Sequence, residues 1–370
     1  MRAIALLIAI LTSVCGTAQD YYLFVGTYTG GKSRGIYVYN LNTQTAEAKQ
    51  LSFVESKNPS YLAISKGGNY LYSVNEGGSD SYVSAFSFDR KKGKLSFINK
   101  QPSGGADPCF ISVNSSRKWV VVANYTGGSL SAIPINADGS LAPLAENIQH
   151  SGSGINKERQ EKAHVHSTFF TPDEHFVFTA DLGTDKLSIY RFDPAASQPL
   201  TDAADSVVDV EPGSGPRHFA FHPTKPYVYV IEELTGTVDV FQNDQGRLTH
   251  LQRISSAPAG FKGENGSADI HVSPNGKFLY ASNRGDANSI AIYRIDPATG
   301  KLEIAGFQSV MGKHPRNFII EPGGKFLLVA NRDSDNIVIF KINEQTGLLK
   351  ATGIRINIPN PVCLKLLKKT

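Results

Sequence analysis

Gly215-Pro216-Arg217-His218-Phe219-Ala220-Phe221-His222-Pro223, continuing through Tyr227-Val228-Tyr229-Val230-Ile231 to Glu232-Glu233-Leu234, is the stretch whose reading decides the fold. Two short runs rich in aromatic and β-branched residues flank a His222-to-Pro226 segment with turn chemistry, which reads as an antiparallel hairpin. In such a hairpin the start of the first strand and the end of the second lie at the same end. Arg217 and Glu233 are therefore expected side by side at one rim of a sheet.

The rest of the chain repeats this unit. Pro59-Ser60-Tyr61-Leu62 leads to Tyr72-Ser73-Val74-Asn75-Glu76, and Pro108-Cys109-Phe110-Ile111 leads to Val122-Ala123-Asn124-Tyr125. His166-Ser167-Thr168-Phe169 leads to Thr179-Ala180-Asp181-Leu182. After the opening stretch, Ala268-Asp269-Ile270-His271 leads to Ser282-Asn283-Arg284, and Pro315-Arg316-Asn317-Phe318 leads to Ala330-Asn331-Arg332. A third and a fourth apolar run follow each hairpin, such as Thr237-Val238-Asp239-Val240-Phe241 and Gly300-Lys301-Leu302-Glu303-Ile304. No segment has helical periodicity. Four antiparallel strands recurring about every 50 residues predict an all-β fold, a β-propeller of four-stranded blades.

Six hairpins are complete. The chain enters at Tyr21-Tyr22-Leu23-Phe24-Val25-Gly26-Thr27-Tyr28, which matches a second strand, and its missing first strand is Pro361-Val362-Cys363-Leu364-Lys365-Leu366. A seventh blade built from both ends is predicted to close the ring without an open sheet edge. Two long departures, His150 to Ala163 and Pro194 to Pro212, read as surface loops, the first placed to overhang one mouth.

Composition excludes several functions. The net charge is +4, with no clustered Lys/Arg stripe, so no nucleic-acid partner is expected. Residues 1–18 carry Arg2, an apolar run from Ala3 to Leu11 and Gly16-Thr17-Ala18. That order predicts a signal peptide cut after Ala18, followed by one propeller domain over 19–370 in the periplasm or outside the cell. A lipoprotein anchored through Cys15 is the alternative, with Val14 standing where a small residue is wanted. The apolar run is too short to span a bilayer, so no membrane span is expected. Cys109 and Cys363 fall on non-adjacent repeats and read as buried thiols. A monomer is expected, with a dimer left open.

In a propeller the innermost strands line the central channel. The residues opening them are Ser60, Cys109, His166, Arg217, Ala268, Arg316 and Val362; those closing the second strands are Tyr28, Glu76, Tyr125, Leu182, Glu233, Arg284 and Arg332. Both series meet at one mouth. His166, Arg217, Glu233, Arg284, Arg316 and Arg332 form a polar cluster there. Asn283, Asn331, Asp181 and Glu232 precede the second series as candidate braces. Such a cluster is also what a structural ion-pair network would give. Several guanidinium groups facing inward nevertheless repel unless an anion or a carbonyl oxygen lies between them.

Other chemistries are weaker. His164 and His166 are two apart on one strand, the spacing for two zinc ligands, yet no third ligand is apparent and the arginines oppose a cation; no metal is expected. His222 beside Pro223 reads as turn chemistry. His218 and His271 are open between core and site. Neither a serine nucleophile elbow between a strand and a helix nor a plausible Cys–His nucleophile arrangement is visible.

At these residues the sequence resembles the seven-bladed propeller lactonase family, which includes bacterial propeller-type 6-phosphogluconolactonases and fungal carboxy-cis,cis-muconate cyclase. The matching pieces include Gly26-Thr27-Tyr28-Thr29, Asn58-Pro59-Ser60-Tyr61-Leu62, His166-Ser167, Gly215-Pro216-Arg217-His218, Glu233-Leu234, Ala268-Asp269-Ile270-His271 and Pro315-Arg316-Asn317-Phe318. The resemblance implies a catalytic set of His166, Arg217, Glu233 and Arg284. It implies hydrolysis of a sugar lactone, phosphorylated or, given export, an unphosphorylated analogue, with no cofactor. Tyr28, Glu76, His218, His271, Asn283, Arg316, Asn331 and Arg332 are the expected substrate-binding neighbours. The alternatives are a ligand-binding or interaction propeller without turnover, and a lactone-forming cyclase.

Overall fold

Short runs of Val, Ile, Tyr and Phe, broken by Gly, Asn and Asp turns, set a two-residue side-chain period with both faces of most strands apolar. Such strands need cover on both faces, and stacking sheets around an axis supplies it. The computed structural model describes residues 20–369. They form seven four-stranded antiparallel sheets, each in simple inner-to-outer order. Blade 1 is split: Pro361–Lys368 is its inner strand and Asp20–Thr27 its second, with Tyr22 opposite Leu367 and Val25 opposite Leu364. Blades 2 to 7 follow in sequence. Blade 5 holds the opening hairpin, with strands Pro216–Phe221, Tyr227–Glu232, Thr237–Asp244 and Arg247–Ser255.

The core lies between neighbouring blades. Tyr229, Ile231 and Val240 of blade 5 pack with Ile270, Leu279, Ala281 and Tyr293 of blade 6. A recurrent device satisfies the buried tyrosines. Tyr72, Tyr229 and Tyr280 each donate a hydroxyl hydrogen bond to a turn glycine of the next blade: Gly139 O at 3.1 Å, Gly300 O at 3.0 Å and Gly347 O at 2.8 Å.

Two expectations on the loops diverge. Segment 150–163 is irregular and reaches across the mouth. Pro194 to Pro212 instead contains the outermost strand of blade 4, Leu200–Asp209. An outermost strand is solvated on its rim, so its Ala, Asp and Ser residues lack the alternation that marks inner strands. Cys109 and Cys363 are buried free thiols, two blades apart. The only helical turn among the described residues is the 3-10 segment Arg332–Ser334. No helix there is long and apolar enough to cross a membrane. The expected signal peptide over 1–18 lies outside the described residues.

Candidate active site

One irregularity, repeated around the ring, builds the site. The inner strand of blade 5 pairs Pro216 with Glu232 and His218 with Ile231, leaving Arg217 as an extra residue in a β-bulge. The same shift isolates Cys109 in blade 3, His166 in blade 4 and Arg316 in blade 7. A bulge bends the strand and re-aims side chains. Residues that open the inner strands thereby turn toward the mouth, while the next residue also faces the channel. Gly215 makes the approach possible: its φ is +66°, and a Cβ there would lie 2.6 Å from Leu234 Cγ.

Glu233 is the hub. Its Oε2 accepts Arg217 Nε at 2.8 Å and lies 2.9 Å from an Arg284 terminal nitrogen. Its Oε1 accepts the Arg159 guanidinium at 2.6 Å. Burial works against this carboxylate, but Arg284, Arg217, His166 and Arg159 outweigh it and hold Glu233 well below the usual carboxylate range. The three arginines are not equivalent. Arg217 has a side chain only 2% exposed, donates also to Ala268 O, and does not line the mouth cavity. Burial and then Arg284 lower its pKa to about 10, which leaves it cationic at neutral pH. Arg284 lines the cavity and is braced by the carbonyls of Gly266 at 2.9 Å and Ser267 at 3.1 Å.

The cavity holds about 390 Å³ and is lined by Glu76, Cys109, Arg159, His166, Glu233, Arg284 and Arg316, with Asp107, Tyr125 and Thr126 at its edge. His166 is kept neutral well below its ordinary pKa, first by burial and then by Arg217 and His218. Cys109 Sγ lies 3.8 Å from His166 Nδ1, so a Cys–His pair is present where the sequence suggested none. It is not an activated nucleophile. Burial, and then Glu76, push the thiol up, and Sγ–H donates to His166 O at 3.2 Å.

Arg316 sits across the cavity. Among the described residues none accepts a hydrogen bond from its guanidinium, which lies 5.5 Å from the Tyr28 ring centroid. The Tyr28 hydroxyl donates to Glu76 at 3.0 Å, and Ser60 also bonds Glu76. Burial disfavours charge on Arg316, but Tyr28, Glu76, Cys109 and Glu233 raise its pKa above that of a free arginine. Its donors are thus open to the cavity.

Below the mouth, aromatic rings fill the axis. Tyr61 stacks on Phe110 at 4.2 Å, Phe110 meets His218 edge-on at 5.2 Å, and His218 meets His166 at 5.3 Å. His218 therefore lies beneath the cavity: its Nδ1–H donates to Asp269 Oδ1 at 2.8 Å, and burial, then Arg217, lower its pKa to about 3. His271 is further down, against Asp269 Oδ2 at 3.0 Å, and lines a separate cavity of about 560 Å³ on the other side of the aromatic layer. In blade 6 the net shift is again one residue, with Ala268 and Asp269 opposite Ser282 alone, and His271 lies down the channel because it stands three residues beyond Ala268 on the inner strand. Asn283 bonds Ser256 and Ser267, and Asn331 bonds Val310 O and Asn336; both are buried braces away from the cavity. Arg332 turns to Asp333 at 2.6 Å. His164 pairs with Glu161 and Tyr125 O, pointing elsewhere than His166. No cluster of three or more His, Cys, Asp or Glu placed for a metal occurs among the described residues. His222 does hold its turn, accepting the amides of Thr224 at 3.2 Å and Lys225 at 3.1 Å.

Sequence reasoning missed Arg159, because it lies in the aperiodic 150–163 segment and no strand register predicts its reach.

The family described as lactonase, seven-bladed β-propeller, matches residues 22–366. The chain belongs to this family. A 6-phosphogluconolactonase of Formosa agariphila is 41% identical over 333 residues, covering 89% of this chain and 94% of that one. A 6-phosphogluconolactonase of Bacillus subtilis is 35% identical over 350 residues, with 94% and 98% covered. Among solved structures, the periplasmic gluconolactonase of Pseudomonas aeruginosa superposes with a TM-score of 0.89 at 37% identity, covering 94% of this chain and 99% of that one. These relatives open an internal ester, which makes them carboxylic ester hydrolases.

Proposed function

We propose that the mouth cavity hydrolyses the internal ester of a sugar lactone, either a 6-phosphogluconolactone or its unphosphorylated analogue. The observation that carries this reading is a neutral His166 sharing one cavity with the guanidinium groups of Arg284 and Arg316, beside that of Arg159. His166 takes a proton from water as the water oxygen attacks the lactone carbonyl carbon. Arg316, with Arg284, donates to the oxygen that becomes negative in the tetrahedral intermediate. Collapse breaks the carbon–oxygen ring bond, and the imidazolium returns its proton to the departing ring oxygen. The product is an open hydroxy acid, with no atom unaccounted for. Glu233 fixes Arg284, and Arg217 fixes Glu233 from behind, so Arg217 acts as a positioning residue.

The relatives' names support the reaction class. We read the exported form as the working protein, on the order of charged, apolar and small residues in 1–18, and take the monomer as its expected state. The periplasmic description of the Pseudomonas aeruginosa relative supports the same compartment. A lactone panel, corrected for spontaneous opening, tests the activity on the native protein and on His166→Ala and Arg316→Ala. Unchanged rates in both variants would remove the assignment. Binding of aldonate anions without rate acceleration would make the propeller a ligand-binding module. Cell fractionation, N-terminal sequencing and light scattering test the compartment, the cleavage after Ala18 and the monomer.

A further inference from the structure

We propose that Arg159 is the substrate-selecting arm of this site: the terminal anion of a lactone, phosphate or carboxylate, takes its guanidinium over from Glu233. This rests on the lactonase reading above.

Of the three arginines on Glu233, Arg159 is the accessible one. Its side chain is 44% exposed, against 2% for Arg217 and 11% for Arg284. It alone binds Oε1, and a terminal nitrogen also reaches the Tyr125 hydroxyl at 3.2 Å. Withdrawing it leaves Glu233 paired with Arg217 and Arg284, so exchange strands no buried charge.

The backbone beneath the arm is pinned. Gln160 Nε2 donates to Leu182 O at 2.9 Å and to Asp185 Oδ1 at 2.7 Å, and Lys162 Nζ donates to Thr126 O at 2.8 Å. Lys162 O comes so close to Gly183 that a Cβ there would lie 1.9 Å away. A pinned base beneath an exposed guanidinium is a pre-organised recognition element.

Arg159 is also a partition. Beside the 390 Å³ cavity lies one of about 490 Å³ lined by Asn156, Glu264, Asn265, Gly285 and His314. Arg159, Glu233 and Arg284 line both, so the Arg159–Glu233 contact stands between them. A lactone ring placed against His166 and Arg316 directs its far substituent past Arg159. A hydroxyl there competes poorly with a carboxylate for a guanidinium; a phosphate or carboxylate replaces the single Arg159–Glu233 hydrogen bond with a charge-assisted contact and has the oxygens for a two-point one.

The test compares kcat and KM of wild type, Arg159→Ala and Arg159→Lys on 6-phosphogluconolactone, glucarolactone with its distal carboxylate, and neutral gluconolactone. In Arg159→Ala the preference for an anionic over the neutral lactone falls by at least about tenfold, through KM, with Arg159→Lys between. The two anionic lactones show which group the arm takes. Equal losses on all three, or an unchanged preference, overturn the proposal. Titration calorimetry of 6-phosphogluconate against gluconate repeats the comparison without turnover. Wild type favours the phosphate ester and the alanine variant does not. Equal binding of both acids to wild type, or no binding of either, overturns the proposal for phosphate. Absent lactone hydrolysis with a retained, Arg159-dependent binding preference would remove the lactonase reading and keep the arm.

Discussion

Arg217 Nε lies 2.8 Å from Glu233 Oε2, yet the arginine never touches the cavity that the glutamate lines. Arg217 is a buried cation whose ion-pair partner is Glu233, with Asp269 a weaker, more distant counter-charge. Glu233→Ala removes that carboxylate from a site shared with Arg284 and leaves two buried guanidinium groups facing each other. Its expected cost is roughly 3–5 kcal/mol, the range for breaking a buried pair by deleting one partner. Urea unfolding of wild type, Glu233→Ala and Glu233→Gln measures it, and a loss below about 1 kcal/mol in the alanine variant would contradict the buried-pair account.

With His166 as the proposed base, the pH dependence of turnover follows its titration. The base form is needed, and it persists on acidification because burial and Arg217 hold the pKa well below the ordinary value. The acid limb of kcat/KM is therefore expected below about pH 6.5, where a free histidine would place it. A limb at or above that value would refute His166 as the base.

Arg316 has donors open to the cavity, so its removal costs transition-state binding more than folding. Arg316→Ala is expected to lower kcat by roughly 10²–10³, the range for deleting an oxyanion donor. Arg316→Lys restores part of it, since a lysine keeps the charge but not the fork. Tyr28→Phe, which removes a hydroxyl from Glu76 and leaves the ring, is expected to do much less. Steady-state kinetics on one lactone decides the order.

Acid stability follows from the same histidines. His218 keeps a folded-state pKa of about 3, and His166 is also depressed, whereas both titrate near 6.5 when unfolded. As pH falls through about 6.5 the unfolded chain binds protons that the folded one refuses, so stability drops. Each such histidine contributes a slope of up to about 1.4 kcal/mol per pH unit until its folded pKa is reached. Glu233 and Asp269, both depressed, add their losses only below the ordinary carboxylate range near pH 4. Melting temperatures followed from about pH 7 to 5 should fall, and a flat profile would show that the two rings are not sealed from protons.

The propeller was legible because every hairpin repeats one apolar pattern, and Arg217 with Glu233 could be paired from hairpin geometry alone. The bulges were not. One inserted residue leaves the surrounding alternation intact, so nothing in Pro216-Arg217-His218 announces that two consecutive side chains face the channel. The sequence leaves His271 open between core and site; it stands three residues beyond Ala268, the residue that opens its inner strand, and so falls on the far side of the aromatic layer. The proximity of Cys109 to His166 spans neighbouring blades, and Arg159 contacts a glutamate 74 residues away from an irregular segment. Such contacts leave no period to read.

The pairing of Tyr22 with Leu367 and Val25 with Leu364 sets a timing rule for folding. The strand Asp20–Thr27 leaves the ribosome early, but its inner neighbour Pro361–Lys368 follows the strands of the six other blades. Until then Asp20–Thr27 has an open edge on that side, and the propeller is an unsealed arc. Loop closure over so long a stretch is slow relative to local hairpin formation. For most of its synthesis the nascent chain therefore carries a templating edge, which makes the moment before closure the one most exposed to aggregation and to capture by chaperones.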